Sequence, residues 1–195
     1  MKTITFVTGN ETKLRHAREA VKGLGVEIVG KKLDVVEIRD EDPEVVASEK
    51  AIQAYDLILD SLVVEDSGIF IRALGGFPKT YVHFAEETLG LGNILKMMEG
   101  VKDRHVEFRQ SLAYFGPGMS EPKIFSYVDG NYTLADKIWE PEYGDTAEFN
   151  KILIPPGESK PLCTFSPEWQ AERDTKANAE TIHYRQLAKW LSHKS

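Results

Sequence analysis

The sequence predicts an α/β protein that folds as one domain, and three stretches of the chain support this prediction. Near the N-terminus, a β-rich run over residues 3–7 leads through T-G-N into a helical pattern. In the middle of the chain, three apolar residues lead into two adjacent carboxylates, Glu65 and Asp66. Farther on, apolar residues alternate over residues 106–114, as they do in a half-buried strand. Strands interspersed with helices in this way indicate the α/β class.

Length, composition and charge limit what the protein can be. The chain of 195 residues is long enough for one full core, and 42% hydrophobic with 28% charged residues is ordinary for a soluble globular protein. A net charge of -7 argues against a nonspecific grip on DNA or RNA. The single cysteine, Cys163, fits a reducing compartment, and no apolar run suits a signal peptide or a membrane span. We therefore expect a cytoplasmic protein without nucleic-acid or membrane partners.

The first unit of the chain reads as strand, turn and helix. Asn10 is a good helix N-cap, and Glu11 in the first turn suits the positive end of the helix dipole. Apolar residues then recur at helical spacing as far as Leu24. Lys13 and the loop around Asn10 therefore lie at a helix N-terminus, which is a natural anion site. An ordinary capped helix with an exposed lysine explains the same residues.

The next segment of the chain contains two more candidate site residues, Glu37 and Lys50. A strand is predicted over residues 26–29, with residues 33–38 extended behind it. Glu37 stands among apolar residues there, so it is either a solvent-facing strand residue or a carboxylate of a site. Pro43 suits the start of a helix. Lys50 falls within this helix and is by default a surface charge.

The rest of the chain is organised around the stretch L-V-V-E-D-S-G-I-F-I at residues 62–71. Its first three residues read as a short buried strand, and Ser67 with Gly68 reads as a tight turn before a second apolar run. Carboxylates at the carboxyl end of a buried strand lie where α/β sheets bind ligands, and Glu65 and Asp66 offer the oxygen ligands that Mg²⁺ prefers. The alternative is a polar strand end in which Asp66 hydrogen-bonds its own turn.

The second half of the chain is less regular, because prolines punctuate it from residue 141 onward. The elements predicted after residue 80 are helices from Tyr81 and over residues 93–98, an antiparallel strand pair at 106–114 and 124–128, a turn at 129–131, a strand at 152–154 and a final helix at 177–191.

Three motifs follow one another in the first two-thirds of the chain. T-G-N-E-T-K at residues 8–13 is similar to the pattern S/T-x-N-x-x-K. E-D-S-G at residues 65–68, followed by A-L-G-G-F-P at 73–78, resembles the pattern E/D-D-S-G…A-L-G-G-x-P-G. The segment at residues 92–100 resembles the one that comes next in archaeal and eukaryotic members of the same family. In this order and spacing, the motifs resemble the inosine triphosphate pyrophosphatase (ITPase) family.

This resemblance implies both a fold and a reaction. The fold is a single ITPase-like domain over residues 1–195, elongated and anticodon-binding-domain-like, with a central twisted mixed sheet and two lobes separated by a cleft. The family usually forms homodimers. The reaction is Mg²⁺-dependent hydrolysis of a nucleoside triphosphate to monophosphate and pyrophosphate, which removes inosine and xanthosine triphosphates from the nucleotide pool. Such chemistry needs cations on the triphosphate and activation of the attacking water.

The resemblance also assigns roles to residues. It implies that Glu37 and Asp66 bind the metal, and that Asp66, helped by Glu65, orients or deprotonates the attacking water. The implied catalytic residues are Asp66, Glu65 and Lys13. The implied substrate-binding residues are Thr8, Asn10, Lys13, Lys50, Tyr81, Phe149, Asn150 and Arg185.

The segments that would read the base depart from the family. Lys79 replaces the glycine of P-G-x-Y-S, and Glu148 replaces the glycine of F-G-Y/W-D, whose Asp is Asn150 here. The terminal S-H-R aligns with H-Y-R at residues 183–185, where a packed tyrosine and a surface arginine on the final helix need no special explanation. We therefore expect hydrolysis with altered or relaxed base specificity. The alternatives are an inactive nucleotide-binding relative and a phosphohydrolase that acts on another phosphorylated metabolite.

Overall fold

The computed structural model describes residues 2–144, 146–176 and 182–193 of the chain. The strands in these ranges are β1 Lys2–Val7, β2 Val26–Lys31, β3 Leu62–Ile71, β4 Pro78–Lys79, β5 His105–Phe115, β6 Lys123–Leu134 and β7 Leu153–Ile154. The helices are α1 Glu11–Ala20, α2 Pro43–Ile58, α3 Val82–Thr88, α4 Gly90–Met97, α5 Pro167–Lys176 and α6 His183–Ser192. None of these helices is both long and apolar enough to cross a membrane.

The strands form one mixed sheet, which confirms the predicted α/β class. Its order is β2-β1-β3-β5-β6-β7, and β4 pairs with β3 off this path. β1 runs parallel to both β2 and β3, whereas the β3–β4 and β6–β7 pairs are antiparallel.

The chain divides into two compact units. Unit 1 comprises Met1–Ser67, Gln110–Tyr127 and Glu180–Ser195, and unit 2 comprises Gly68–Arg109 and Val128–Ala179. Unit 1 has two apolar cores, of which one packs against α1 and α6 and the other against α2. Unit 2 has one core, to which α4 and the segment around β7 contribute. The description of the chain as a single domain stays a prediction.

Local capping fixes the start of α1, as predicted. The side-chain oxygen of Asn10 accepts hydrogen bonds from the backbone N–H groups of Thr12 at 2.9 Å and Lys13 at 3.1 Å. Two of the donors that a helix N-terminus leaves without intrahelical partners are thereby satisfied. The loop at residues 8–10 is therefore held against the first turn of the helix.

The predicted turn at Ser67 and Gly68 is wrong, because β3 runs unbroken through both residues. Gly68 serves a different purpose from a turn. A Cβ atom at this position would lie 2.5 Å from the backbone oxygen of Lys79 in the neighbouring strand β4. The glycine is therefore required for the close approach of two backbones.

We expect Gly68→Ala to lower the free energy of unfolding by about 2 kcal/mol, since β4 must move to admit the methyl group. Denaturant unfolding measures the effect. Gly92→Ala is the matched control, because a Cβ there meets nothing within 4 Å and the residue lies inside α4. The control should leave stability unchanged or raise it by about 0.5 kcal/mol. Equal stability of the two variants would contradict this account of Gly68.

Three further predictions need correction or restriction. Residues 33–38, predicted to be extended, pair with no strand, and Gln53 of α2 instead occupies both backbone groups of Val36, at 2.9 and 3.0 Å. The predicted turn at 129–131 lies inside β6, where Asn131 adopts a left-handed φ of 66° that asparagine tolerates. The final helix is observed from His183, and its predicted beginning at residues 177–181 lies outside the described residues.

Candidate active site

The parallel pairing of β1 and β3 places the acidic pair beside the loop that follows β1. Thr5 pairs with Leu62 and Phe6 with Val63 in this register. Because β3 continues beyond the point where β1 ends, Glu65 lies past the carboxyl end of β1. The carboxylates are thus in the middle of their own strand, not at its end as predicted, but they do lie at the carboxyl end of a parallel neighbour.

Adjacent residues of β3 point to opposite faces of the sheet, as the pleat of a strand requires. Val63 belongs to the core against α1 and α6, and Val64 belongs to the core against α2. Glu65 lies on the same face of β3 as Val63 and contacts α1 and α6. Asp66 lies on the same face as Val64 and contacts α2. The two carboxylates therefore have separate environments.

The carboxylate of Glu65 is buried and lies against Lys13, Tyr184 and His183. Its side chain is 3% exposed, and its Oε1 lies 3.1 Å from the Lys13 ammonium. The Tyr184 hydroxyl donates to Oε2, and the Nε2 of His183 lies 3.5 Å from the same oxygen. Burial alone would raise the pKa of Glu65, but Lys13, His183 and Tyr184 together lower this pKa to about 2. Glu65 is consequently an anion at neutral pH.

The pKa of Asp66 is shifted in the opposite direction. The Lys50 ammonium donates to its Oδ1 at 3.1 Å and pairs with Glu37 Oε2 at 2.5 Å. Burial nevertheless outweighs Lys50 and raises the pKa of Asp66. Burial alone would lower the pKa of Lys50, but its two carboxylate partners raise that pKa, so Lys50 stays a cation. A carboxyl with a raised pKa is the better acceptor of a proton near neutral pH.

The loop at residues 8–10 adds polar groups to the same region of unit 1. The Thr8 hydroxyl accepts a hydrogen bond from the backbone N–H of Asn10 at 3.0 Å, which shapes the loop. Sequence reasoning missed a further lysine here. The Lys32 side chain crosses over Gly9, with its Nζ 3.3 Å from the place of a Cβ on residue 9. The pairing of Val7 with Lys31 in parallel strands is the signal that brings residue 32 to this loop.

Two of the carboxylates are candidate ligands for a divalent cation. Glu37 and Asp66 converge on one positive charge, the Lys50 ammonium, from different parts of the chain. Among the described ranges, no group of three or more His, Cys, Asp or Glu side chains forms a complete metal site. Mg²⁺ is typically held by one or two carboxylates together with substrate phosphates. The pair Glu37 and Asp66 therefore fits Mg²⁺ that binds along with a triphosphate.

Comparison with known proteins identifies the family. The model of the Ham1 family matches residues 4–184. The chain belongs to the Ham1 family. A dITP/XTP pyrophosphatase from Methanosarcina mazei is 39% identical over 138 residues, which are 70% of this chain and 74% of that protein. One from Saccharolobus solfataricus is 32% identical over 177 residues, which are 90% of this chain and 88% of that protein.

A solved structure agrees in fold. The Ham1 protein of Staphylococcus aureus has a TM-score of 0.78 and 20% sequence identity, and the match covers 100% of both chains. These relatives confirm the family resemblance that was predicted from the sequence motifs.

Some of the predicted site residues lie outside unit 1, which contains Glu65 and Asp66. Tyr81, Phe149 and Asn150 belong to unit 2. Phe149 is 2% exposed within the apolar core of that unit, and Asn150 donates to the Thr146 hydroxyl at 2.8 Å. Arg185 is in unit 1, exposed on α6. The substrate-binding roles of these residues stay predictions.

Lys79 and Glu148, which replace two glycines of the family motifs, both lie in unit 2. Lys79 has a φ of 59°, a left-handed conformation that favours the glycine expected there. Glu148 pairs with Lys151 at 2.5 Å, so its negative charge has a partner within its own 3-10 helix.

Tyr184 and His183 are contacts of Glu65 that packing arguments had overlooked. Both residues lie on the buried face of α6. A buried tyrosine hydroxyl normally has a hydrogen-bond partner, and this rule was the available signal that Tyr184 meets a polar group.

Proposed function

We propose that this Ham1-family chain is a nucleoside triphosphate pyrophosphatase that releases pyrophosphate and a nucleoside monophosphate with the help of Mg²⁺. One observation carries the proposal. Unit 1 pairs two lysines with three carboxylates, Lys13 with Glu65 at 3.1 Å and Lys50 with Glu37 and Asp66 at 2.5 and 3.1 Å. The register of β1 and β3 places the acidic pair of β3 beside the loop at residues 8–10. The names of the relatives, dITP/XTP pyrophosphatases, support the same reaction class.

The lysines and the loop are suited to hold the phosphates. Lys13 projects from the first turn of α1, where the helix dipole favours an anion. Its side chain is 29% exposed, so a ligand can reach the ammonium. Lys50 supplies a second cation that the carboxylates keep protonated. Thr8 and Asn10 hold the loop against the first turn of α1, which carries Lys13.

Glu37 and Asp66 would hold Mg²⁺, which neutralises triphosphate charge when it is bound. Asp66 orients a water molecule for attack on the α-phosphorus and accepts its proton. The new bond joins the water oxygen to the α-phosphorus, and the bond to the bridging oxygen of pyrophosphate breaks. The contact between Asp66 and the Lys50 ammonium supports this role, because a cation suited to bind phosphate then lies beside the carboxylate.

The base preference is proposed to be altered or relaxed relative to hypoxanthine and xanthine. A site that hydrogen-bonds a group rejects analogues much better than an apolar site does. Here Tyr184 occupies the place of the family histidine and is engaged with Glu65, and Lys79 and Glu148 replace glycines. The homodimer and the cytoplasmic location stay predictions of the sequence.

An assay of the two phosphate products tests the function. The purified protein with Mg²⁺ is incubated with ITP, XTP, dUTP, GTP, ATP and CTP, and pyrophosphate and orthophosphate are measured separately. We expect one pyrophosphate for each monophosphate, with less than about a hundredfold spread in kcat/KM across the bases. Orthophosphate alone would indicate the other phosphohydrolase class. Binding of triphosphates without turnover would indicate an inactive relative.

A further inference from the structure

We infer that Tyr184 is a positioning residue that acts through Glu65 to hold the Lys13 ammonium where it meets the phosphates of the substrate. The inference rests on the proposed function, because that function assigns the phosphates to Lys13. It concerns residues of unit 1 alone.

The two oxygens of Glu65 face two different elements. Oε1 lies 3.1 Å from Lys13 on α1, and Oε2 accepts the hydroxyl of Tyr184 on α6. Neither ring nitrogen of His183 makes a hydrogen bond within the described residues, although its Nε2 is 3.5 Å from Oε2. Tyr184 thus fixes the rotation of the carboxylate, and this rotation decides where Oε1 places the ammonium.

Because Glu65 and Tyr184 are buried, loss of the Tyr184 hydroxyl should change the position of the Glu65 carboxylate. The Glu65 side chain is 3% exposed and Tyr184 is 5% exposed, so water cannot replace a lost hydroxyl without rearrangement. Without the hydroxyl, the carboxylate is left to turn both oxygens toward Lys13. The lysine would then be held more tightly by Glu65 and would be less available to a phosphate. A hydrogen bond to a buried charge has the strength to produce such a change.

This role differs from reading the base. Tyr184 aligns with the histidine of a motif whose implied task is recognition of the base. Its hydroxyl is already donated to Glu65, and its ring packs edge-on against Phe6 in the core. Inorganic pyrophosphate separates the two roles, since it carries phosphates and no base.

The test measures the Kd of pyrophosphate with Mg²⁺ by calorimetry. Tyr184→Phe should weaken pyrophosphate binding about tenfold, because it removes a bond to a charged group. Tyr114→Phe is the matched control. Tyr114 is also buried in the same core at 3% exposure. Its hydroxyl donates to Ser61 at 2.9 Å and accepts from Lys2 at 3.0 Å, and neither partner belongs to the proposed site. The control should leave the Kd unchanged.

Lys13→Met completes the experiment. In that background, Tyr184→Phe should have no further effect on the Kd, because its action passes through Lys13. An unchanged Kd for pyrophosphate in Tyr184→Phe, beside weaker binding of a triphosphate, would assign Tyr184 to the base and overturn the inference. An equal loss of pyrophosphate affinity in Tyr184→Phe and Tyr114→Phe would show that Tyr184 acts only through core packing, and this result would also overturn the inference.

Unfolding measurements on the wild type, Tyr184→Phe, Lys13→Met and the double variant test the inference without any ligand. The effects of Tyr184→Phe and Lys13→Met on the unfolding equilibrium constant should not multiply, since both act on one carboxylate. Effects that simply multiply would overturn the inference. If Lys13→Met leaves pyrophosphate affinity unchanged, the assignment of phosphates to Lys13 fails, and the unfolding cycle still decides whether Tyr184 and Lys13 are coupled.

Discussion

Asp66→Asn should lower kcat for triphosphate hydrolysis by about a thousandfold, the usual magnitude for loss of a general base. The amide keeps the size of the carboxyl and an oxygen for Lys50, but it takes no proton from water and brings no negative charge to Mg²⁺. We expect the free energy of unfolding to stay within about 1 kcal/mol of the wild type. The fold already disfavours the Asp66 anion, as the raised pKa indicates.

Steady-state kinetics at saturating Mg²⁺ and denaturant unfolding test both expectations. Asp103→Asn is the control, because Asp103 is an aspartate of unit 2 that pairs with Arg72 and stands outside the proposed site. Its kcat should match the wild type. Activity that survives in Asp66→Asn would remove Asp66 from the reaction.

Glu65→Gln should abolish a large part of the acid-dependent stability of the protein. The pKa of Glu65 is about 2 in the folded state against 4.5 for an ordinary glutamate, because Lys13, His183 and Tyr184 outweigh the effect of burial. A lowered folded-state pKa stabilises the fold above the unfolded pKa, and this stability is lost as the pH falls from 4.5 toward 2. The difference corresponds to about 3 kcal/mol.

The measurement is the free energy of unfolding as a function of pH for both proteins. At neutral pH, we expect Glu65→Gln to be about 3 kcal/mol less stable than the wild type, and the two curves should converge in acid. Glu148→Gln serves as the comparison, since its ion pair with Lys151 is half exposed and worth about 0.5 kcal/mol. Parallel curves for Glu65→Gln and the wild type would show that Glu65 is not the source of the acid dependence.

The sequence predicted the features that depend on neighbours along the chain. Asn10 caps α1, and Pro43 begins α2 after Asp42, because capping requires groups only two or three residues apart. The apolar run from Leu62 is buried, because three consecutive apolar residues have no other favourable place.

The features that depended on distant partners were missed. Ser67 and Gly68 carry a local turn signal, but the backbone of Lys79 in β4 determines the need for glycine. Residues 33–38 have strand-like composition, but the backbone of Val36 bonds to the Gln53 side chain and not to a neighbouring strand. The contact of Tyr184 with Glu65 spans 119 residues, so no local pattern indicates it.

The alternation of β3 has a consequence for insertions and deletions in the chain. Removal or addition of one residue ahead of Glu65 would send each carboxylate to the face that its neighbour now occupies. The shorter side chain would then face Lys13 and Tyr184, and the longer one would face Lys50 and Glu37. Composition and net charge would scarcely change, yet the fixed anion and the proton acceptor would have exchanged places. The spacing between the apolar run and the acidic pair is therefore as much a part of the site as the side chains themselves.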